Sequence, residues 1–267
     1  MIPEETRQEI LRRLEAAEKE HGVRILYACE SGSRAWGFAS PDSDFDVRFL
    51  YTHTEDWYMA FDVERQRDVI EYPIVDDIDI GGWDIRKALY LLSRTNGALL
   101  EWLESPLPYF ERGNFARALR EMAPKMFNPI ALCYHYSHMA RHNAREHLFR
   151  NQVRLKKYFY VLRPLLAIRY IEKHNLPPPV PFESLVADNA PTGIRPGIAN
   201  LLELKRKSPE FGLGEQIPEI NDFIETELER HGEDFKGQDR PDKFGKEGLR
   251  EDLNHIFRSA VREAVAK

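Results

Sequence analysis

The sequence predicts an α+β protein, in which an N-terminal sheet with flanking helices is followed by an all-helical C-terminal domain. Three observations lead to this class. Short apolar runs, one of them strictly alternating with polar residues, occur within the first 80 residues. Apolar residues recur at helical spacing from about residue 85 onward. The turn-forming stretch Ser105-Pro-Leu-Pro108 separates the two patterns and predicts domains at 1–105 and 106–267.

The composition of the 267 residues is that of an ordinary globular protein, with 42% hydrophobic and 31% charged residues. The net charge is −6 at neutral pH, so the chain has no global positive field for nucleic acid and any phosphate site must be local. The two cysteines, Cys29 and Cys133, exclude a disulfide framework. No 18-residue apolar run and no signal-like N-terminus are present, so we expect a cytoplasmic protein without membrane contact.

The elements of the N-terminal part follow from local patterns. Ile10, Leu14 and Ala17 lie at helical spacing and predict an amphipathic first helix that ends near Gly22. Short β-prone runs then predict four strands, of which the last ends at Gly81-Gly82. The predicted strands are 23–30, 45–51, 68–72 and 74–80.

Helical periodicity governs the rest of the chain. A helix is predicted after Asp84 and ends at Asn96-Gly97, and every later element is predicted to be helical. These helices are expected near 97–104, 114–122, 129–149, 153–174, 197–206, 217–231 and 247–265. The polar, glycine-containing stretch 232–248 is predicted to be an exposed loop.

The segment around residues 30–48 carries the chemistry. The turn Ser31-Gly32-Ser33 ends one predicted strand, and Asp44 and Asp46 stand in the next. Alternate strand residues project to the same face about 7 Å apart, so both carboxylates can reach one divalent cation. Small turn residues let backbone N–H groups and a hydroxyl approach phosphate oxygens. Together the two features predict a nucleoside triphosphate bound through Mg²⁺.

The alternative interpretation is a simple turn before the strand, with Asp46 facing solvent, and an isolated aspartate pair would favour it. The wider context favours the metal site. Gly32-Ser33, Asp44-Phe45-Asp46 and Ile78-Asp79-Ile80 together resemble the motifs of the DNA polymerase β-like nucleotidyltransferase superfamily. The sequence of residues 25–106 is similar to that of the predicted nucleotidyltransferases associated with bacterial RNA repair.

This resemblance implies a nucleotidyltransferase with a mixed sheet and a two-metal Mg²⁺ site, for which Mn²⁺ can substitute. The implied reaction transfers a nucleoside monophosphate from a triphosphate to an acceptor hydroxyl and releases pyrophosphate. The implied metal and catalytic residues are Asp44, Asp46 and Asp79, and the implied phosphate-binding residues are Gly32 and Ser33. The acceptor is left open, since an RNA end, a protein hydroxyl and a small molecule are all compatible with these residues.

Two aspartates compete for the role of the third carboxylate. Asp79 stands between apolar residues in a predicted strand, whereas Asp84 stands just before a helix and is explained by helix capping. We therefore expect Asp79 to ligate one metal ion and to act as the general base, which is the role that the resemblance implies for it.

A basic stripe is predicted on the helix 153–174. Lys156, Tyr160 and Arg163 are spaced so that they share one face, and the resemblance implies such residues reach a triphosphate in the cleft between the domains. A solvated basic face is the alternative interpretation. Arg34, just after the turn, is a further phosphate-binding candidate, and a surface ion pair is its alternative.

Other functions remain as alternatives at this stage. One is a nucleotide-sensing or antitoxin-like module that binds without turnover, and another is a helical interaction protein. Zinc is not expected at His135, His138 and His142, because three ligands in line on one helix cannot surround a metal tetrahedrally.

Overall fold

The computed structural model describes residues 2–149, 152–207, 212–231 and 247–265, so most of the predicted loop at 232–248 lies outside the described residues. The helices are α1 Glu4–His21, α2 Gly32–Ala35, α3 Glu55–Tyr58, α4 Ile85–Ser93, α5 Gly97–Leu103, α6 Phe115–Met126, α7 Pro129–His147, α8 Lys157–His174, α9 Phe182–Asn189, α10 Arg195–Lys207, α11 Pro218–Arg230 and α12 Glu247–Val265. The strands are β1 Arg24–Glu30, β2 Phe45–Thr52, β3 Val69–Glu71, β4 Ile78–Asp84, β5 Pro108–Glu111, β6 Val153–Arg154 and β7 Leu213–Gly214. Short 3₁₀ helices lie at Val63–Arg65 and Thr192–Ile194. Within the described ranges, no helix has the length and apolarity needed to cross a bilayer.

The main sheet has five strands in the order β3-β4-β2-β1-β5. The central pair β2 and β4 is parallel, whereas β1 pairs with β2 and β5, and β3 with β4, in antiparallel fashion. The sheet is therefore mixed, and the predicted α+β class with a helical C-terminal region is confirmed.

The prediction that the strand at 74–80 ends at Gly81-Gly82 is wrong. Strand β4 begins at Ile78, after Asp76 and Asp77 in left-handed backbone conformations, and it continues through both glycines. Gly82 is the register partner of Phe49 on β2, and a Cβ at Gly82 would lie 2.3 Å from the Phe49 ring. The glycine therefore makes room for an aromatic ring in the sheet and does not stop the strand.

The prediction that every later element is helical is also wrong, because β5 adds an edge strand to β1. The run at 108–111 is too short to show a period of its own, and the pairing with β1 defines it. Helix α8 begins at Lys157, four residues later than predicted, because Val153 and Arg154 pair with β7. Helix α9 was not predicted.

Contacts within the chain group it into two compact units. So far as these ranges are described, the first holds Met1–Gly32, Asp44–Met126 and Asp242–Lys267, and the second holds Ser33–Ser43 and Phe127–Pro241. The domain boundary predicted near residue 105 stays a prediction about the sequence. In the structure, residues up to Met126 belong to the first unit because β5 is part of its sheet.

The core of the first unit lies between helix α1 and the sheet. Ile10 and Leu14 of α1 pack with alternate residues of β2 and β4, which are fully or almost fully buried. Those strand residues are Val47, Phe49, Tyr51, Ile78 and Ile80. Alternation along β2 thus fills the core with one face and leaves its polar residues on the other.

The core of the second unit is aromatic where residues 33–43 join the helices. Phe38 is buried, stacks on Phe159 of α8 with ring centroids 4.8 Å apart, and meets Phe182 of α9 edge-on at 5.5 Å. The backbone N–H of Phe182 also donates to the carbonyl oxygen of Trp36 at 2.8 Å. These contacts hold the segment 33–43 on the second unit.

Candidate active site

Two aspartates lie side by side on neighbouring strands. Asp46 on β2 is the register partner of Asp79 on β4, and their side chains are 29% and 30% exposed. Adjacent strands are about 5 Å apart, so the two carboxylates start from neighbouring positions. Asp44 stands two residues before Asp46, just ahead of β2, and is exposed. The sheet therefore brings Asp46 and Asp79 together at one end of its central parallel pair.

Arg48, two residues after Asp46, joins the two carboxylates. Its Nη2 donates to Oδ2 of Asp79 at 2.6 Å and to Oδ1 of Asp46 at 3.3 Å. Alternation along β2 was the sequence signal for this contact, because it places Asp46 and Arg48 on the same face. The sequence analysis nevertheless assigned no role to Arg48, since its partner Asp79 comes from another strand.

The turn after β1 is packed against the Asp46 carboxylate. Gly32 has a left-handed φ of +58°, and a Cβ at this position would lie 2.0 Å from Oδ2 of Asp46. The backbone N–H of Ser31 donates to the carbonyl oxygen of Asp46 at 2.8 Å. Only glycine accommodates both the backbone conformation and this close approach.

A buried glutamate supports the same strand. Glu30, the last residue of β1, is fully buried, and its Oε1 accepts a hydrogen bond from the backbone N–H of Asp46 at 3.0 Å. Its Oε2 accepts one from the Tyr109 hydroxyl at 2.5 Å, and burial together with this carboxylate raises the pKa of Tyr109. The sequence analysis missed Glu30, although a charged residue at the end of an apolar strand was the available signal.

The oxygen donors of this site fit a hard divalent cation. The carboxylates of Asp46 and Asp79 converge closely enough to share one guanidinium, so they can share another cation of suitable size. Over the described part of the chain, no group of three His, Cys, Asp or Glu residues is placed to hold one metal ion. A ligand set of Asp44, Asp46 and Asp79 therefore stays a proposal.

The two candidates for the third carboxylate lie at opposite ends of β4. Asp79 is paired with Asp46, whereas Asp84 is paired with Tyr51, five residues further along β2. Asp84 is 1% exposed, caps helix α4 through the N–H of Arg86 at 2.8 Å, and accepts a hydrogen bond from Tyr58. The register supports Asp79 as the third carboxylate and gives Asp84 a capping role.

The buried carboxyl group of Asp84 is expected to make the stability of the protein depend on pH. Burial raises the pKa of Asp84 to about 6, above the value near 3.9 expected in the unfolded chain. The folded state therefore holds this proton more tightly, and the stability it gains from that proton is lost as pH rises from about 4 to about 6. In the wild type this loss of unfolding free energy is on the order of 3 kcal/mol. We expect no such loss in Asp84→Asn, which has no carboxyl group at this position.

Urea denaturation of the wild type and Asp84→Asn at several pH values between 4 and 7 measures this difference. Because the other carboxylates titrate equally in both proteins, the comparison isolates Asp84. Parallel curves of unfolding free energy against pH would contradict the assignment.

Hydrogen bonds of Ser33 and Arg34 stabilise the segment 33–43, which follows Gly32. Ser33 is buried and its carbonyl oxygen accepts from the N–H of Phe38 at 3.0 Å. Arg34 is half-buried and its Nη2 donates to the carbonyl oxygen of Ser43 at 2.6 Å. Phosphate binding by Ser33 and Arg34 stays a prediction.

The basic stripe on α8 is not a uniformly solvated face. Arg163 is 3% exposed, and its guanidinium lies over the Trp36 ring at 4.6 Å. Tyr160 also meets Trp36, edge-on at 6.0 Å. Lys156 is exposed and occupies the N-cap position of α8. Lys156 is therefore open to solvent and Arg163 is not, and phosphate binding by this stripe stays a prediction.

Sequence reasoning missed a buried lysine near Lys156. Lys205 of α10 is 4% exposed, and its ammonium lies 4.5 Å from the centre of the Phe38 ring and 5.3 Å from that of Phe159. Burial and the nearby charge of Lys156 lower the pKa of Lys205 to about 8, while Asp42 acts in the opposite direction. A lysine at an apolar helical position was the only local signal.

The mixed five-stranded sheet with flanking helices is consistent with a nucleotidyltransferase fold. The sequence profile of the RNA repair pathway DNA polymerase beta family matches residues 6–259. The chain belongs to this family, which confirms the resemblance derived from residues 25–106 and implies a nucleotide substrate.

Two individual proteins show the extent of the similarity. The chain is 45% identical over 258 residues to the uncharacterized protein YcgL of Bacillus subtilis (strain 168), covering 96% of this chain and 97% of that protein. It is also similar to the crystal structure of a nucleotidyltransferase-like protein from Exiguobacterium sibiricum 255-15. That comparison has 14% identity, a TM-score of 0.34, and coverage of 97% of this chain and 90% of the other.

Proposed function

We propose that the chain is a Mg²⁺-dependent nucleotidyltransferase that transfers a nucleoside monophosphate from a triphosphate to an acceptor hydroxyl and releases pyrophosphate. The observation that carries this proposal is the parallel register that sets Asp46 beside Asp79, with Asp44 two residues earlier and Gly32 against the Asp46 carboxylate. Membership of the RNA repair pathway DNA polymerase beta family supports it.

The three aspartates would hold the cation. Carboxylate oxygens are the ligands that Mg²⁺ prefers, and Mn²⁺ can substitute for it at such a site. When bound, the cation neutralises charge on the phosphate oxygens. Asp44 and Asp46 are proposed as ligands, and Asp79 as both ligand and acceptor of the proton from the attacking hydroxyl. The hydrogen bonds of Glu30 and Ser31 to the Asp46 backbone hold the start of β2, which carries Asp46 and directly follows Asp44.

Phosphate binding is proposed for residues on both sides of the turn and on the helices. Gly32 and Ser33 offer close backbone approach and a hydroxyl. Arg34 and Lys156 supply positive charge, and Lys156 is exposed. Arg163 is proposed as a further source of positive charge, with its guanidinium packed on the Trp36 ring.

Lys156→Ala is expected to weaken nucleotide binding by about ten- to a hundredfold, because a charge-assisted contact contributes roughly 1.5 to 3 kcal/mol. The fold should be unaffected, since Lys156 is exposed. Titration calorimetry with a non-hydrolysable triphosphate in the presence of Mg²⁺ measures this change.

Lys173→Ala is the matched control for that titration. Lys173 lies on the same helix, about 26 Å away along its axis, and pairs with Asp188. We expect the control to bind nucleotide like the wild type. Unchanged affinity in Lys156→Ala as well would mean that Lys156 belongs only to a solvated helix end.

The family's name favours an RNA end as the acceptor, and we propose a role in RNA repair on that ground. A net charge of −6 predicts that RNA is held through few phosphates. A measurement of pyrophosphate release tests the reaction. Each of the four triphosphates is offered in turn, with RNA, a protein or a small alcohol as the acceptor. We expect release that depends on Mg²⁺ and is fastest with an RNA 3′ hydroxyl.

A further inference from the structure

Arg48 is held in place by more than the two carboxylates. Its Nη1 donates to the carbonyl oxygens of Val47 and Asp79, both at 3.0 Å, while its Nη2 donates to the carboxylates of Asp46 and Asp79. Its side chain is 21% exposed. The backbone contacts anchor the guanidinium where the two carboxylates converge.

Two carboxylates in direct register on adjacent strands repel each other. An arginine compensates this repulsion at every physiological pH, because its guanidinium stays protonated and its fork can reach two acceptors at once. A divalent cation that binds the same carboxylates must either displace the guanidinium or lie beside it. Both arrangements cost free energy, through lost hydrogen bonds or through repulsion between two cations.

We propose that Arg48 is a built-in counter-ion of the Asp46–Asp79 pair, which holds the pair together in the absence of metal and keeps free divalent cations from binding tightly. A cation that arrives with a triphosphate brings phosphate oxygens, which accept hydrogen bonds from Arg48 in place of the carboxylates. Cation binding therefore depends on the nucleotide, and by linkage nucleotide binding depends on the cation. This inference rests on the proposed function of the site.

The test measures Mn²⁺ binding to the full chain by the electron paramagnetic resonance signal of free Mn²⁺. In the absence of nucleotide, Arg48→Gln is expected to bind Mn²⁺ about tenfold or more tightly than the wild type. The same variant in chelator should unfold at a lower temperature, because the carboxylates then repel without compensation. Arg67→Gln is the control, since Arg67 pairs with Glu71 at the surface and should change neither quantity.

Arg48→Lys keeps the charge and is expected to fold and to bind free Mn²⁺ as weakly as the wild type. A folded Arg48→Gln protein with unchanged or weaker Mn²⁺ binding would overturn the proposal. If the Arg48→Gln protein does not fold, tighter Mn²⁺ binding by Arg48→Lys than by the wild type would overturn it instead. Neither result needs transfer activity. Failure of the proposed function looks different, because the expected tighter Mn²⁺ binding by Arg48→Gln would then accompany a complete lack of nucleotidyl transfer.

Discussion

Replacing Asp46 with asparagine is expected to reduce nucleotidyl transfer by about a thousandfold or more while the protein stays folded. The change removes the charge of one of two converging carboxylates but keeps the shape that packs against Gly32. Asp44→Asn should lose transfer to a similar extent with no change in thermal stability, because Asp44 is exposed. The initial rate of pyrophosphate release, read beside the circular dichroism melting curve, measures both effects.

Asp56→Asn is the matched control. Asp56 is an exposed aspartate on α3, and its replacement removes the same charge from the same unit. We expect wild-type transfer from this variant. Full transfer by a folded Asp46→Asn protein would show that the paired carboxylates do not hold the catalytic cation.

Gly32→Ala is expected to have the second largest effect, on stability as well as on transfer. The new Cβ would meet Oδ2 of Asp46 at 2.0 Å, and the left-handed backbone adds strain of its own. Left-handed strain of about 1–2 kcal/mol and overpacking of about 1–3 kcal/mol together lower the unfolding free energy by roughly 2–5 kcal/mol. Transfer should fall as well, because the Asp46 carboxylate has to move.

Gly22→Ala separates the two contributions. Gly22 has nearly the same left-handed φ, +60°, but nothing lies within 4 Å of the position its Cβ would take. This variant should lose only the strain of about 1–2 kcal/mol and keep its transfer activity. Urea denaturation of both variants provides the comparison, and equal losses of stability would contradict the close approach of Gly32 to Asp46.

Local patterns predicted the parts of the fold that local physics determines. Alternation defined β2, with Asp46 and Arg48 on one face, and the capping residue Asp84 defined the start of α4. The same reasoning failed at Gly81-Gly82, because a glycine that makes room for an aromatic ring looks the same in sequence as a glycine that ends a strand. Only the register with Phe49 distinguishes the two.

The sequence predicted the residues of the candidate site that belong to the motif. It did not predict the residues that hold the motif in place. The motif residue Asp46 was identified from sequence, whereas its partners Glu30 and Arg48 were not given roles. Their contacts join residues from different strands, so no local spacing reports them. Lys205 likewise approaches Phe38 from a distant helix, and burial of its ammonium follows from tertiary packing alone.

The fate of the α-phosphate tests the central claim most directly. The full chain is incubated with Mg²⁺, an RNA with a free 3′ hydroxyl, and a triphosphate labelled in separate samples at the α- or the γ-phosphate. We expect the α-label to enter the RNA, the γ-label to appear in pyrophosphate, and both signals to vanish with Asp46→Asn. Tight nucleotide binding without either product, for all four triphosphates and for RNA, protein and small-molecule acceptors, would contradict the account and identify a binding module without turnover.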